Sequence, residues 1–88
     1  MKISDQFILR NICGDLLLVP LGEKSKEYNG IFTVSETGAF ILSQLLADKN
    51  EQETASLLAK EFEIDFHSAY EDTVAFISNL KEYGILTD

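Results

Sequence analysis

Two side chains in this 88-residue chain could form a nucleophile and its base: the one cysteine, Cys13, and the one histidine, His67. Such a pair needs thiol and imidazole within hydrogen-bond reach and a third group to orient the imidazole. Cys13 falls in a Cys-Gly turn between two β-type runs, and His67 falls at a helix start. No orienting group is apparent, so both read as structural or incidental. His67 and Glu71 have the i, i+4 spacing of a two-ligand metal face. Two ligands leave such a site half built, and a solvated first helical turn accounts for them. The acidic pairs Glu61/Glu63 and Glu71/Asp72 could do acid–base work only in a cleft that drives their pKa values apart. On an exposed helix they are a solubilising face. The aromatics recur at core spacing, which disfavours a stacking platform for bases. These residues predict no catalytic site, no metal and no cofactor, and hence a protein that is not an enzyme.

The elements that would position any site belong to one domain, residues 1–88, large enough for a single modest core. Hydrophobic residues make up 45% and charged residues 25%, too apolar for disorder. The apolar runs Leu16–Leu21 and Ala39–Leu42 are too short to span a bilayer. MKISDQF lacks the apolar stretch of a signal peptide. A lone cysteine cannot form an internal disulfide, so a reducing cytoplasm is the expected compartment. Net charge is −8, and residues 35–88 carry all of it, three bases against eleven acids. That half would repel a phosphate backbone, which excludes nucleic acid as the expected partner and favours a neutral or basic one.

Gln6–Ile12 and Asp15–Leu21 are β-type runs joined by Cys13-Gly14, a tight hairpin. Phe7 and Leu9 alternate with Ile8 and Ile12, and Leu16 and Leu18 alternate with Leu17, Val19 and Leu21, so the sheet has two apolar faces. Helices would cover one; a partner or another helix would cover the other. Pro20 cannot donate to a ladder and should end or bulge its strand. Gly22–Asn29 reads as a flexible polar loop without the glycine spacing of a phosphate cradle. Tyr28-Asn29-Gly30 closes it, and a third strand, Ile31–Val34, follows. Ser35 then caps a helix from Glu36 to about Ala47. Asn50 caps a second helix, Glu51–Phe62, with Ala55, Leu58 and Phe62 inward and Thr54 and Leu57 beside them. Asp65 caps a third, Phe66–Tyr83, which Gly84 stops. On it Phe66, Tyr70, Thr73, Ile77 and Leu80 share one face, and Ala69, Phe76 and Tyr83 an adjacent one. The order predicts an α+β domain, a three-stranded antiparallel sheet followed by three helices.

Four segments, LRNICGDLLLVPLG, NGIFTVSETGAFILSQLL, AKEFEID and FISNLKEYGIL, together resemble the PqqD-like family, small proteins of peptide modification pathways. The likeness spans about Leu9 to Leu86, and SETGAFI and LKEYGIL are its most specific parts. Ser35 departs from the Asn expected there, though both residues cap helices. The resemblance implies a winged helix-turn-helix-like fold and a non-catalytic peptide chaperone. It implies a recognition element for the leader segment of a ribosomally made precursor peptide, with a modifying enzyme, often a radical SAM enzyme, as second partner. The leader would add as a strand to Ile31, Phe32, Thr33 and Val34, in a groove walled by the third helix at Asp72, Phe76, Asn79 and Tyr83.

Elementary physics agrees in part. The last strand of a three-stranded meander has an unpaired edge, and Ile31–Val34 has no charge or proline to blunt it. An acidic third helix beside that edge suits a leader carrying Lys or Arg. Without the family, the same strand reads as a core strand whose edge the Ile85-Leu86 tail covers. Two further readings stand beside these. One is a winged-helix DNA-binding regulator, which needs a basic recognition helix, whereas Phe66–Tyr83 offers Lys81 against Glu71, Asp72 and Glu82. The other is a dimeric adaptor, a homodimer formed through the second apolar sheet face.

Overall fold

Each long helix begins at a side-chain cap that the sequence places. In the computed structural model, which describes residues 1–28 and 30–88, the order is β1 (Lys2–Ile3), β2 (Phe7–Ile12), β3 (Asp15–Pro20), α1 (Glu23–Glu27), β4 (Phe32–Val34), α2 (Glu36–Leu46), α3 (Glu51–Phe62), α4 (Phe66–Glu82) and β5 (Leu86–Thr87). Ser35 Oγ accepts the Gly38 N–H at 3.1 Å. Asn50 and Glu53 form a reciprocal capping box, 2.8 and 3.0 Å. Asp65 accepts the Ser68 N–H at 3.3 Å. Hydrogen bonding from Ser68, side chain first and backbone second, holds the Asp65 carboxyl below its ordinary range. Gly84, at φ 74°, closes α4 in the left-handed region that favours glycine.

β2, β3 and β4 form an antiparallel sheet in that spatial order. Cys13 and Gly14 both take positive φ, 53° and 86°, the geometry of a two-residue hairpin turn. The register sets Phe7 opposite Pro20, Leu9 opposite Leu18, and Leu18 opposite Phe32. Phe7, Leu9, Leu16, Leu18, Phe32 and Val34 therefore share the face that meets the helices. On the other face Ile8 and Ile12 are exposed and Leu17 and Val19 half-buried. The expected α+β fold, a three-stranded antiparallel sheet followed by three helices, is the observed one.

Several details differ from the sequence reading. Within the segment read as a loop, Glu23–Glu27 is helical. Gly22, at φ 52°, makes the turn into it. Lys24–Glu27 and Glu23–Lys26 ion pairs at i, i+3 brace it. Five residues are too few to show a helical period or to form a stable helix alone. Asn29, placed at the close of that loop, lies outside the described residues. Ile31 precedes the strand and is 56% exposed. On α4, Ala69 is fully buried, whereas Phe66 at the start of the same helix is 47% exposed. Leu57 on α3 is also exposed.

The core has two parts. Ile41, Leu42, Leu45, Ala55, Leu58, Ala69, Ile77 and Leu86 fill the space among the helices. Phe7, Leu18 and Ile85 fill the space under the sheet, with Tyr28, Phe32 and Val34 against them. Successive residues of an extended chain point opposite ways, so Ile85 enters one part and Leu86 the other. The tail is held there by β5, which pairs with β1 (Lys2↔Thr87, Ile3↔Leu86), and by the Ser4 N–H donating to the Ile85 carbonyl at 2.7 Å.

Two buried threonines differ in one respect. Thr73 Oγ1 donates to the Ala69 carbonyl at 2.8 Å, whereas Thr54 Oγ1 has no partner among the described residues. A buried unpaired hydroxyl carries its desolvation cost uncompensated, and Val and Thr have similar helix propensity. Thr54→Val is expected to stabilise the fold by about 1 kcal/mol, while Thr73→Val is neutral or costs about 1 kcal/mol. Urea midpoints at constant slope measure both, and an equal gain from the two substitutions would contradict this account.

Candidate functional site

β4 is the last strand of its sheet. Its inner edge pairs with β3 through Leu18↔Phe32, Leu17↔Thr33 and Leu16↔Val34. No strand pairs with its outer edge among the described residues. The tail, which could have covered this edge, pairs with β1 instead. Phe32 and Val34 turn toward the helices and Thr33 turns away, as period-two alternation requires.

α4 flanks this edge. The Tyr83 and Phe32 rings lie 5.4 Å apart, centroid to centroid. Farther along, Gly38 on α2 leaves room for two side chains: a Cβ there would sit 2.9 Å from Phe76 Cε1 and 3.1 Å from Val34 Cγ1. Phe76 and Val34 are thus neighbours across one point, and the missing side chain of Gly38 allows the approach. Asp72, Phe76, Asn79 and Tyr83 recur at i, i+4, i+7 and i+11, so they form one stripe on α4. Asp72 and Asn79 are exposed, Phe76 half-buried and Tyr83 43% exposed. Of the eight residues that the sequence singles out, Phe32, Val34, Phe76 and Tyr83 meet in contacts between β4 and the helices. Ile31 and Thr33 are exposed on the strand segment, and Asp72 and Asn79 on the helix stripe.

Glu27 and Tyr28 belong to this region and were not singled out from the sequence. Tyr28 stacks edge-on against Phe32 at 5.4 Å and against Tyr83 at 5.7 Å, and its hydroxyl donates to the Tyr83 carbonyl at 3.4 Å. A hollow of about 310 Å³ opens at the Phe32 end, lined by Glu27, Tyr28, Gly30, Ile31, Phe32 and Tyr83. The one signal available was an aromatic residue, Tyr28, at the end of an otherwise polar segment. A second hollow, about 390 Å³, lies at the Val34 end beside Asp15, Ser35 and Glu36. A larger one of about 470 Å³, lined by Met1, Leu45, Lys49, Asn50 and Tyr70 among others, shares no residue with β4. It offers no strand edge.

The groups weighed for catalysis stay apart from this region. His67 Nε2 lies 3.3 Å from Glu71 Oε1, with both side chains well exposed, and Cys13 is exposed in the hairpin turn. Among the described residues no cluster of three His, Cys, Asp or Glu could hold a metal ion. No helix among them is long and apolar enough to cross a membrane. Lys81, the one Lys or Arg on α4, is 3.3 Å from Asp88.

Comparison with known proteins gave a family and two similar folds. Residues 18–86 match the family described as coenzyme PQQ synthesis protein D (PqqD). The solved structure "Lasso peptide synthetase B1 complexed with the leader peptide" superposes with a TM-score of 0.84 at 20% identity, over 99% of this chain and 96% of that one. "TbiB1 in Complex with the TbiA(beta) Leader Peptide" superposes with a TM-score of 0.78 at 23% identity, over the whole of both chains. No curated protein matches. At these identities the two structures establish a shared fold.

Proposed function

The chain belongs to the PqqD family, and from that premise we propose that it is a non-catalytic recognition protein for the leader segment of a precursor peptide. The leader adds as a strand to the outer edge of β4, and the protein presents it to a modifying enzyme. One observation carries this reading: β4 ends its sheet with an edge that no strand pairs among the described residues, while the tail is engaged elsewhere. An unpaired edge supplies backbone donors and acceptors in register, and side-chain pockets beside it supply selectivity. Phe76 and Tyr83 on one side and Phe32 and Val34 on the other provide such walls. Both solved structures of similar fold are leader-peptide complexes by description, which supports the same use here.

The DNA-binding reading is not favoured. α4 bears Glu71, Asp72 and Glu82 against Lys81, and Lys81 is already paired.

The test is a titration of isotope-labelled protein with synthetic leader peptides from short open frames beside its gene. Backbone amides of residues 30–34 are expected to shift most. If none of these peptides moves them, strand addition to β4 is wrong.

A further inference from the structure

We propose that the hollow at the Phe32 end of β4 is a pocket for one Lys or Arg side chain of the bound strand, with Glu27 as the residue that selects it. The inference rests on strand addition to β4 and adds the chemistry of one recognised side chain.

The geometry begins with the sheet. A residue of an added strand opposite Phe32 places its side chain on the same sheet face as Phe32, about 5 Å away. That face leads to the rings of Tyr28, Phe32 and Tyr83, whose centroids are 5.4 to 5.7 Å apart. The methylene stem of a Lys or Arg can lie along such rings while its charged head reaches the rim. Glu27 lines that same hollow, and its side chain is 58% exposed although it pairs with Lys24, so a carboxylate stands at the end of the pocket. A ring face and a carboxylate both attract a cation.

The protein already carries one example of this pairing. Lys24 Nζ sits 3.4 Å from Glu27 Oε2 and 5.7 Å from the Tyr28 ring centroid. The corner thus holds an ammonium from within the chain, while the Glu27 side chain remains 58% exposed. A purely apolar occupant would leave the Glu27 carboxylate beside the pocket with nothing to gain from it. The acidic surround, −8 overall, favours a basic strand over an acidic one.

The probe is a random dodecapeptide library displayed on phage, panned against the wild-type protein and against Glu27→Gln. Glu27 is exposed on α1, and losing its solvent-screened pair with Lys24 costs little, so the variant is expected to melt close to the wild type. Wild-type selection is expected to place Lys or Arg at one fixed position, and Glu27→Gln to lose that preference. By calorimetry, exchanging that cation for norleucine in the best selected peptide should weaken wild-type binding about three- to tenfold. The same exchange should scarcely affect the variant, and the wild-type loss should shrink at high salt. A cation-free consensus, or equal losses in the two proteins, overturns the pocket. Amide shifts at 31–34 separate the two claims: with shifts but no coupling, only the pocket fails. Without shifts, or without any selected peptide, strand addition fails and the pocket with it.

Discussion

A single N-methyl group on the bound peptide is expected to weaken binding about tenfold at every second backbone position, and to change it little at the positions between. A strand added to β4 turns alternate amides toward the edge and the others to solvent. Methylating an inward amide removes one hydrogen bond and leaves its β4 carbonyl short of a partner, together worth about 1.4 kcal/mol. Methylating an outward amide removes neither. The scan needs only a peptide that binds and isothermal titration of each methylated form. Losses spread evenly along the peptide, or confined to one side chain, would mean that it does not bind as a strand. The backbone test is preferable to a charge placed at Phe32. That ring packs on the Phe7, Leu18 and Ile85 cluster, so Phe32→Asp would weaken the fold as well as the groove.

Leu42→Ala is expected to cost about 2–5 kcal/mol. Leu42 is fully buried among Ile41, Leu45, Ala55, Leu58, Ala69 and Ile77, where α2, α3 and α4 converge. A close-packed site of this kind relaxes only in part, so a cavity penalty adds to the lost transfer energy. A domain of this size has about 5–10 kcal/mol in total, so the variant should be marginally folded at room temperature. Leu57→Ala, on an exposed position of the neighbouring helix, should cost under about 1 kcal/mol. Urea unfolding of the pair measures the difference. Similar midpoints for the two would mean that the three helices do not pack as described.

Much of the fold was legible because its signals are local. The hairpin is written in Gly14, which accepts the second of two successive positive φ angles, with Cys13 taking the first. The helix starts are written in Ser35, Asn50 with Glu53, and Asp65, whose side chains reach backbone groups three residues on. Neither Phe7–Ile12 nor Asp15–Pro20 alternates cleanly, because both sheet faces carry apolar residues, so the strands were legible but the choice of inner face was not. The strand of the candidate site was legible for the same local reason, since Phe32–Val34 reads as a strand ahead of a cap, whereas the choice of the helix stripe as its wall came from the resemblance to the PqqD-like family.

What the sequence could not supply depends on groups far apart in the chain. Helix α1 is too short to show a period, and its Tyr28 is placed by contacts with Phe32 and Tyr83. Ala69 is buried because a small residue suits the close packing of α4 on α3, and hydrophobic spacing does not distinguish it from Phe76. Above all, the freedom of the β4 edge is settled by where the tail goes. Sequence by itself determined that a third strand exists, that it carries nothing to blunt its edge, and that a helix begins at its end. Tertiary structure decided that Leu86–Thr87 pairs with Lys2–Ile3 at the other end of the chain, leaving that edge without a strand partner among the described residues. Caps and turns act within four residues, whereas strand pairing across some eighty is decided by which burial satisfies the whole core.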